Sequence, residues 1–141
     1  MLGKVPGLAA AACSKVYLTE PQGLKMQPWF YNQTVKLLVE PVIGPLDLMR
    51  ELREIEERMG RKRNGEERFG PRVIDLDLLL FGDVVLNTPE LTLPHPRMKE
   101  RAFVLIPLRE IAPDLVFPDG GTLAEAIGRL RFSMDKNTIR Q

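Results

Sequence analysis

The stretch from Val73 to Phe81 constrains this chain most. It reads Val-Ile-Asp-Leu-Asp-Leu-Leu-Leu-Phe and sets Asp75 and Asp77 inside a run that is otherwise large and apolar. The β-branched start and the Gly82-Asp83 turn predict a long strand here, with a second short strand over Val84 to Leu86. Residues two apart on a strand share a face, about 7 Å from each other along the backbone, so both carboxylates project to one side. Two readings stay open. The acids lie on a solvated face with Leu76, Leu78 and Leu80 buried behind them, or they hold a divalent cation, because carboxylates forced together repel. Oxygen ligands of this kind suit Mg²⁺ or Ca²⁺, and Mg²⁺ held by one or two carboxylates fills its remaining positions with water and substrate phosphates.

Basic residues surround that stretch: Arg58, Arg61, Lys62, Arg63 and Arg68 precede it, and Arg72 lies three positions before Asp75. Guanidinium groups pair phosphate oxygens bidentately, so cations plus arginines suit a polyphosphate. A solvated loop or a nucleic-acid patch explains the same run, although Glu66 and Glu67 interrupt its charge. Overall charge favours no polyanionic partner: 20 Lys+Arg stand against 19 Asp+Glu, a net +1. With 141 residues, 44% hydrophobic and 28% charged, the chain suits one globular domain. No apolar run approaches the ~20 residues a spanning helix needs, so no membrane partner is expected. The lone Cys13 excludes an internal disulfide and points to a reducing, cytoplasmic setting. The start, with Leu8 to Ala12 before Cys13, has the outline of a lipoprotein signal, but Pro6-Gly7 interrupts it. The plainer expectation is a helix end, a turn at Pro6-Gly7 and a small residue buried at the start of a strand.

Val16 to Thr19 and Thr34 to Glu40 read as strands. Between them stand Trp29, Phe30 and Tyr31, core by default, and Asn32, whose amide offers both a donor and an acceptor to a heterocycle edge. Gly44-Pro45 opens a helix that Gly60 ends, with Leu48, Leu52, Ile55 and Met59 as its apolar stripe and Glu54 paired to Arg58. Leu93-Pro94-His95-Pro96 is a stiff extended segment that holds His95 rigidly, whether as a structural hydrogen-bonder or as an actor. Met98 to Ile111 is helical, with a break predicted at Pro107. Thr122 and Glu125 form a capping box before the last helix, buried through Leu123, Ile127 and Leu130.

These motifs together resemble the 6-hydroxymethyl-7,8-dihydropterin pyrophosphokinase family. The match is most specific over Phe69 to Leu79, where Gly70-Pro71-Arg72 precedes the paired aspartates, and continues through Leu93-Pro94-His95-Pro96, Arg101 to Leu105 and Glu110 to Pro113. Tyr17 to Pro21 and Phe30-Tyr31-Asn32 resemble the family's pterin side, and Phe69 stands where a tryptophan is frequent. The resemblance implies an α+β, ferredoxin-like fold with helices packed on an antiparallel sheet. It implies attack by the pterin hydroxymethyl oxygen on the β-phosphorus of ATP, with AMP leaving and no strong general base. Asp75 and Asp77 would bind two Mg²⁺ ions; Arg61 and Arg72 would act in catalysis; Glu56, Arg63, His95 and Arg101 would serve the nucleotide. Thr19, Phe30, Asn32 and Phe103 would line the pterin pocket. ATP and the pterin are the implied partners of a monomer occupying residues 1–141, from which the family's first strand and most of its first helix are missing. A non-catalytic relative that keeps nucleotide binding and a Mg²⁺-dependent nucleic-acid enzyme are the competing expectations.

Overall fold

The computed structural model describes residues 6–20, 29–62 and 75–141, with backbone alone at 61 and 62. The protein is α+β and divides into two compact units, one of residues 1–40 with 96–141 and one of residues 41–95.

In the first unit a four-stranded sheet has the order β3-β2-β8-β7, formed by β2 (Tyr17–Thr19), β3 (Phe30–Asn32), β7 (Ser133–Asp135) and β8 (Thr138–Arg140). Pairing is antiparallel except between β2 and β8, which run parallel with Thr19 opposite Ile139. Helix α2 (Ala102–Ile111) packs on this sheet, and Tyr17, Ala102, Ile106 and Ile139 form the buried cluster, flanked by Ile127, Leu130 and Phe132. Burial of such side chains contributes about 25 cal/mol per Å² of apolar surface, so this cluster helps stabilise the unit. The short helix α3 (Leu123–Gly128) starts in the expected capping box: Thr122 N donates to Glu125 Oε1 at 2.8 Å and Glu125 N donates to Thr122 Oγ1 at 3.1 Å.

A second ladder joins β1 (Leu8–Cys13) to β4 (Val35–Val39), with a bulge at Ala11. At the chain start the expected turn at Pro6-Gly7 is present, and the helix end expected before it lies outside the described residues. Leu8 to Cys13 is strand throughout, and Cys13 is exposed at its far end, while the neighbouring Ser14 is the buried small residue. Ser14 Oγ accepts from Thr34 N at 2.9 Å, and Ser14 N donates to Thr34 O at 2.8 Å, which closes the ladder.

The second unit contains α1 (Pro45–Lys62) and the hairpin of β5 (Leu86–Asn87) with β6 (Thr92–Leu93). Asp47 Oδ2 accepts from Gly44 N at 2.9 Å, one of the donors that a helix start leaves without an internal partner. Leu48, Leu52 and Ile55 are buried as expected, joined by Met49, and Met59 is half-buried. The helix continues through Gly60, since glycine permits but does not force a stop. Arg58 reaches Glu51, at 4.0 Å, rather than Glu54; both groups are solvated and the pair contributes little. The short strand predicted over Val84 to Leu86 lies slightly later, at Leu86–Asn87.

Two further corrections concern the backbone. Residues 75–81 belong to no strand among those described, because extended preference becomes a strand only where a neighbour completes the ladder. Met98 to Ile111 does break, but at Arg101, between a 3-10 turn (Met98–Glu100) and α2; Pro107 lies inside α2. Proline lacks one N–H and strains the turn before it, and Pro107 falls at the sixth of the ten positions of a well-buried helix that tolerates the loss.

Candidate functional site

The first unit gathers five of the expected residues. Thr19 ends β2 and is buried at 1% exposure; its partner across the ladder is Phe30, and Asn32 lies on the same strand two residues on. Asn32 Nδ2 donates to Thr19 Oγ1 at 2.8 Å, and Thr19 Oγ1 donates to the Phe30 carbonyl at 3.2 Å. This chain fixes which way the Asn32 amide faces: one N–H is used, and the carbonyl oxygen and second N–H remain to recognise a polar heterocycle edge. Phe103, the second residue of α2, meets Phe30 edge to face, with ring centroids 5.6 Å apart and planes at 80°. The Arg101 guanidinium lies over the Phe103 ring at 5.5 Å, so an arginine expected on the nucleotide side stands with the aromatic pair.

The aromatics Trp29, Phe30 and Tyr31 are not core. They are 39%, 36% and 73% exposed, because β3 is the edge strand of its sheet. An apolar plate beside an oriented amide at a sheet edge is suited to a flat, polar-rimmed ring. Arg140 covers the Trp29 ring at 5.3 Å.

Sequence reading missed the support beneath this cluster. Glu110, on the last turn of α2, accepts from Tyr17 Oη at 2.8 Å and from Lys15 N at 3.0 Å, tying the helix to the start of β2. Burial, then the Glu110 hydrogen bond and its charge, push the Tyr17 phenol up to about 12, against the weaker opposing charge of Arg109. No local motif announces a pair this distant in sequence.

The second unit carries the acids. Asp75 and Asp77 are exposed while Leu76 and Leu78 between and after them are half-buried, so the alternation of the solvated-face reading holds without a strand. That exposure removes the argument from forced burial, and among the described residues no cluster of three or more His, Cys, Asp or Glu is present. The donor set still fits Mg²⁺ in particular, which needs only one or two carboxylates where phosphates and water complete its shell. Glu56 on α1 accepts from Leu76 N at 2.6 Å, a charge-assisted bond to the residue between the two aspartates. Glu56 thereby positions the acidic segment, a role its helix position alone did not reveal. His95 joins the same segment through its backbone, donating from N to Leu79 O at 2.9 Å; its ring is half-buried.

Arg63 and Arg72 lie outside the described residues, as does most of the basic run, and Arg61 is placed only as backbone in the last turn of α1. No helix among the described residues is long and apolar enough to cross a membrane.

The model of the family described as 7,8-dihydro-6-hydroxymethylpterin-pyrophosphokinase matches residues 2–113. A Pseudomonas aeruginosa protein named 2-amino-4-hydroxy-6-hydroxymethyldihydropteridine pyrophosphokinase is 43% identical over 129 residues, covering 92% of this chain and 77% of its own length. A protein of the same name from Methylorubrum extorquens is also 43% identical over 129 residues, with 92% and 78% covered. The folic acid synthesis protein fol1 of Schizosaccharomyces pombe is 41% identical over 131 residues, which span 92% of this chain and 17% of that larger protein. With the family model matched over residues 2–113 and relatives 43% identical across 92% of its length, the chain belongs to the 7,8-dihydro-6-hydroxymethylpterin-pyrophosphokinase family.

Proposed function

We propose that this chain transfers the diphosphate of ATP to the hydroxymethyl oxygen of 6-hydroxymethyl-7,8-dihydropterin, releasing AMP, in folate biosynthesis. The observation that carries the reading is the convergence of Thr19, Phe30, Asn32, Arg101 and Phe103, distant in sequence, into one aromatic and amide-bearing cluster.

In this reading the pterin ring lies against the Phe30 and Phe103 plates, and the unused N–H and carbonyl of Asn32 pair with its ring edge. Thr19 acts indirectly, by holding the Asn32 amide at one orientation, which lowers the entropy lost on binding. His95 and Arg101 contact the nucleotide, as Arg63 does, and Arg61 and Arg72 meet the phosphates. Asp75 and Asp77 would hold two Mg²⁺ ions, which would supply positive charge to offset what builds on the ATP phosphates during transfer. Glu56 keeps the backbone between those carboxylates in place. Positioning supplies most of the rate, and no residue of the described site is asked to act as a strong base. The ferredoxin-like arrangement, a monomeric state and a cytoplasmic location belong to the same proposal.

Calorimetric titration tests the pterin side. Asn32→Ala removes both pairings and should weaken binding of the pterin, with ATP analogue present, by about tenfold or more, at about 0.5–1.5 kcal/mol for each lost hydrogen bond. Unchanged pterin affinity in a folded Asn32→Ala protein would remove Asn32 from the site.

A further inference from the structure

Helix α2 begins without a cap of its own. Arg101 precedes it in extended conformation, φ −117° and ψ 108°, and offers no side-chain acceptor to the first turn. The amide of Gln141 fills that place. Its Oε1 accepts from Ala102 N at 2.7 Å, and its Nε2 donates to the Glu100 carbonyl at 2.7 Å. One planar group therefore grips the backbone on both sides of Arg101. A primary amide is suited to this because it carries a donor and an acceptor side by side, matching the peptide groups it meets. The backbone N of Gln141 also donates to Glu20 Oε1 at 3.2 Å, and Glu20 directly follows Thr19.

We propose that Gln141 is a positioning residue for the substrate site: it locks the break at Arg101, setting the direction in which Arg101 and Phe103 leave the backbone, and links that break to the end of β2. The inference rests on the reading of Arg101 and Phe103 as substrate contacts. Gln141 lies outside the stretch matched by the family model, residues 2–113, so this brace belongs to a part of the chain that the match does not reach. Without the amide, the peptide groups flanking Arg101 turn to water, and the Arg101 and Phe103 side chains sample directions that the stacked pair now excludes.

Steady-state kinetics with four proteins tests this: the wild type, Gln141→Met, Thr122→Ala and Phe103→Ala. Gln141→Met keeps side-chain length and removes both hydrogen bonds. It should raise KM for ATP and for the pterin by about three- to tenfold while kcat stays within about twofold. Thr122→Ala loses a helix cap elsewhere in the same unit and should lower the thermal midpoint with both KM values unchanged. A Gln141→Met enzyme with wild-type KM values overturns the proposal whatever its thermal midpoint, since a purely structural brace lowers the folded fraction and not substrate affinity. Phe103→Ala separates the two levels. If it raises the pterin KM while Gln141→Met does not, the brace alone fails; if neither does, the reading of Phe103 fails and the brace with it. Should Gln141→Met not fold, Gln141→Glu keeps the acceptor toward Ala102 N and loses the donor to Glu100. It should then give a smaller rise in both KM values, and none would again overturn the proposal.

Discussion

Glu56 shows how one side chain converts helix position into site geometry. Its carboxylate accepts from Leu76 N, so α1 holds the short backbone link on which Asp75 and Asp77 are carried. Removing the acceptor leaves that N–H to water and frees the link, at a cost of about 1–3 kcal/mol for a charged partner. Glu56→Ala should therefore lower kcat about tenfold or more and raise the Mg²⁺ concentration needed for half-maximal rate, measured as AMP formation across a Mg²⁺ series. On the proposed function Asp77→Asn removes a ligand rather than a support and should cost about 100-fold or more in kcat, by the scale of lost charge stabilisation in phosphoryl transfer. A folded Asp77→Asn protein with unchanged rate and unchanged Mg²⁺ dependence would take Asp77 out of the cation site. Identity of these residues was legible, because acids within an apolar run and a lone histidine between prolines are conspicuous in any chain. Their supports were not: Glu56 to Leu76 and Tyr17 to Glu110 are contacts made by tertiary folding, and a single sequence carries no trace of them.

Elements were legible where local chemistry and packing agree. Pro45 with Asp47 starts α1, and Thr122 with Glu125 starts α3, as their cap chemistry dictates. Thr122→Ala should cost about 1 kcal/mol in chemical denaturation, the usual value of an N-cap. Hydrogen bonding at Thr122 also lowers the Glu125 carboxyl from its ordinary range, so this cap contributes fully above that range and is lost as pH falls through the lowered value. Elements were missed where packing overrides local preference. Ala9 to Ala12 would favour helix, yet pairing with β4 holds them as strand β1. The β7–β8 hairpin turns through Lys136 at φ 56°, a conformation usually marked by glycine or asparagine, so its sequence gave no turn motif. Tyr17 offers a test of how α2 is tied to β2. The unfolded phenol ionises at its ordinary 10.0, whereas the folded one keeps its proton to about 12. Its contribution is whole below pH 10.0 and is lost as pH rises toward about 12. Urea denaturation over that range should show wild-type stability falling more steeply than that of Tyr17→Phe; parallel profiles would mean the phenol is not held this way.

For the molecule as a whole, composition set the class and the motifs set the chemistry. A net charge of +1 gives no general attraction for nucleic acid, and the family match extends over residues 2–113. On the proposed function the aromatic cluster and the paired acids perform one reaction, diphosphate transfer from ATP to the pterin. The most direct test is AMP formation by the purified chain in Mg²⁺, with and without 6-hydroxymethyl-7,8-dihydropterin. AMP should form only when the pterin is present, in amounts equal to the pterin diphosphate formed. A folded protein that binds ATP yet yields no AMP with the pterin, or yields it equally without, would contradict it.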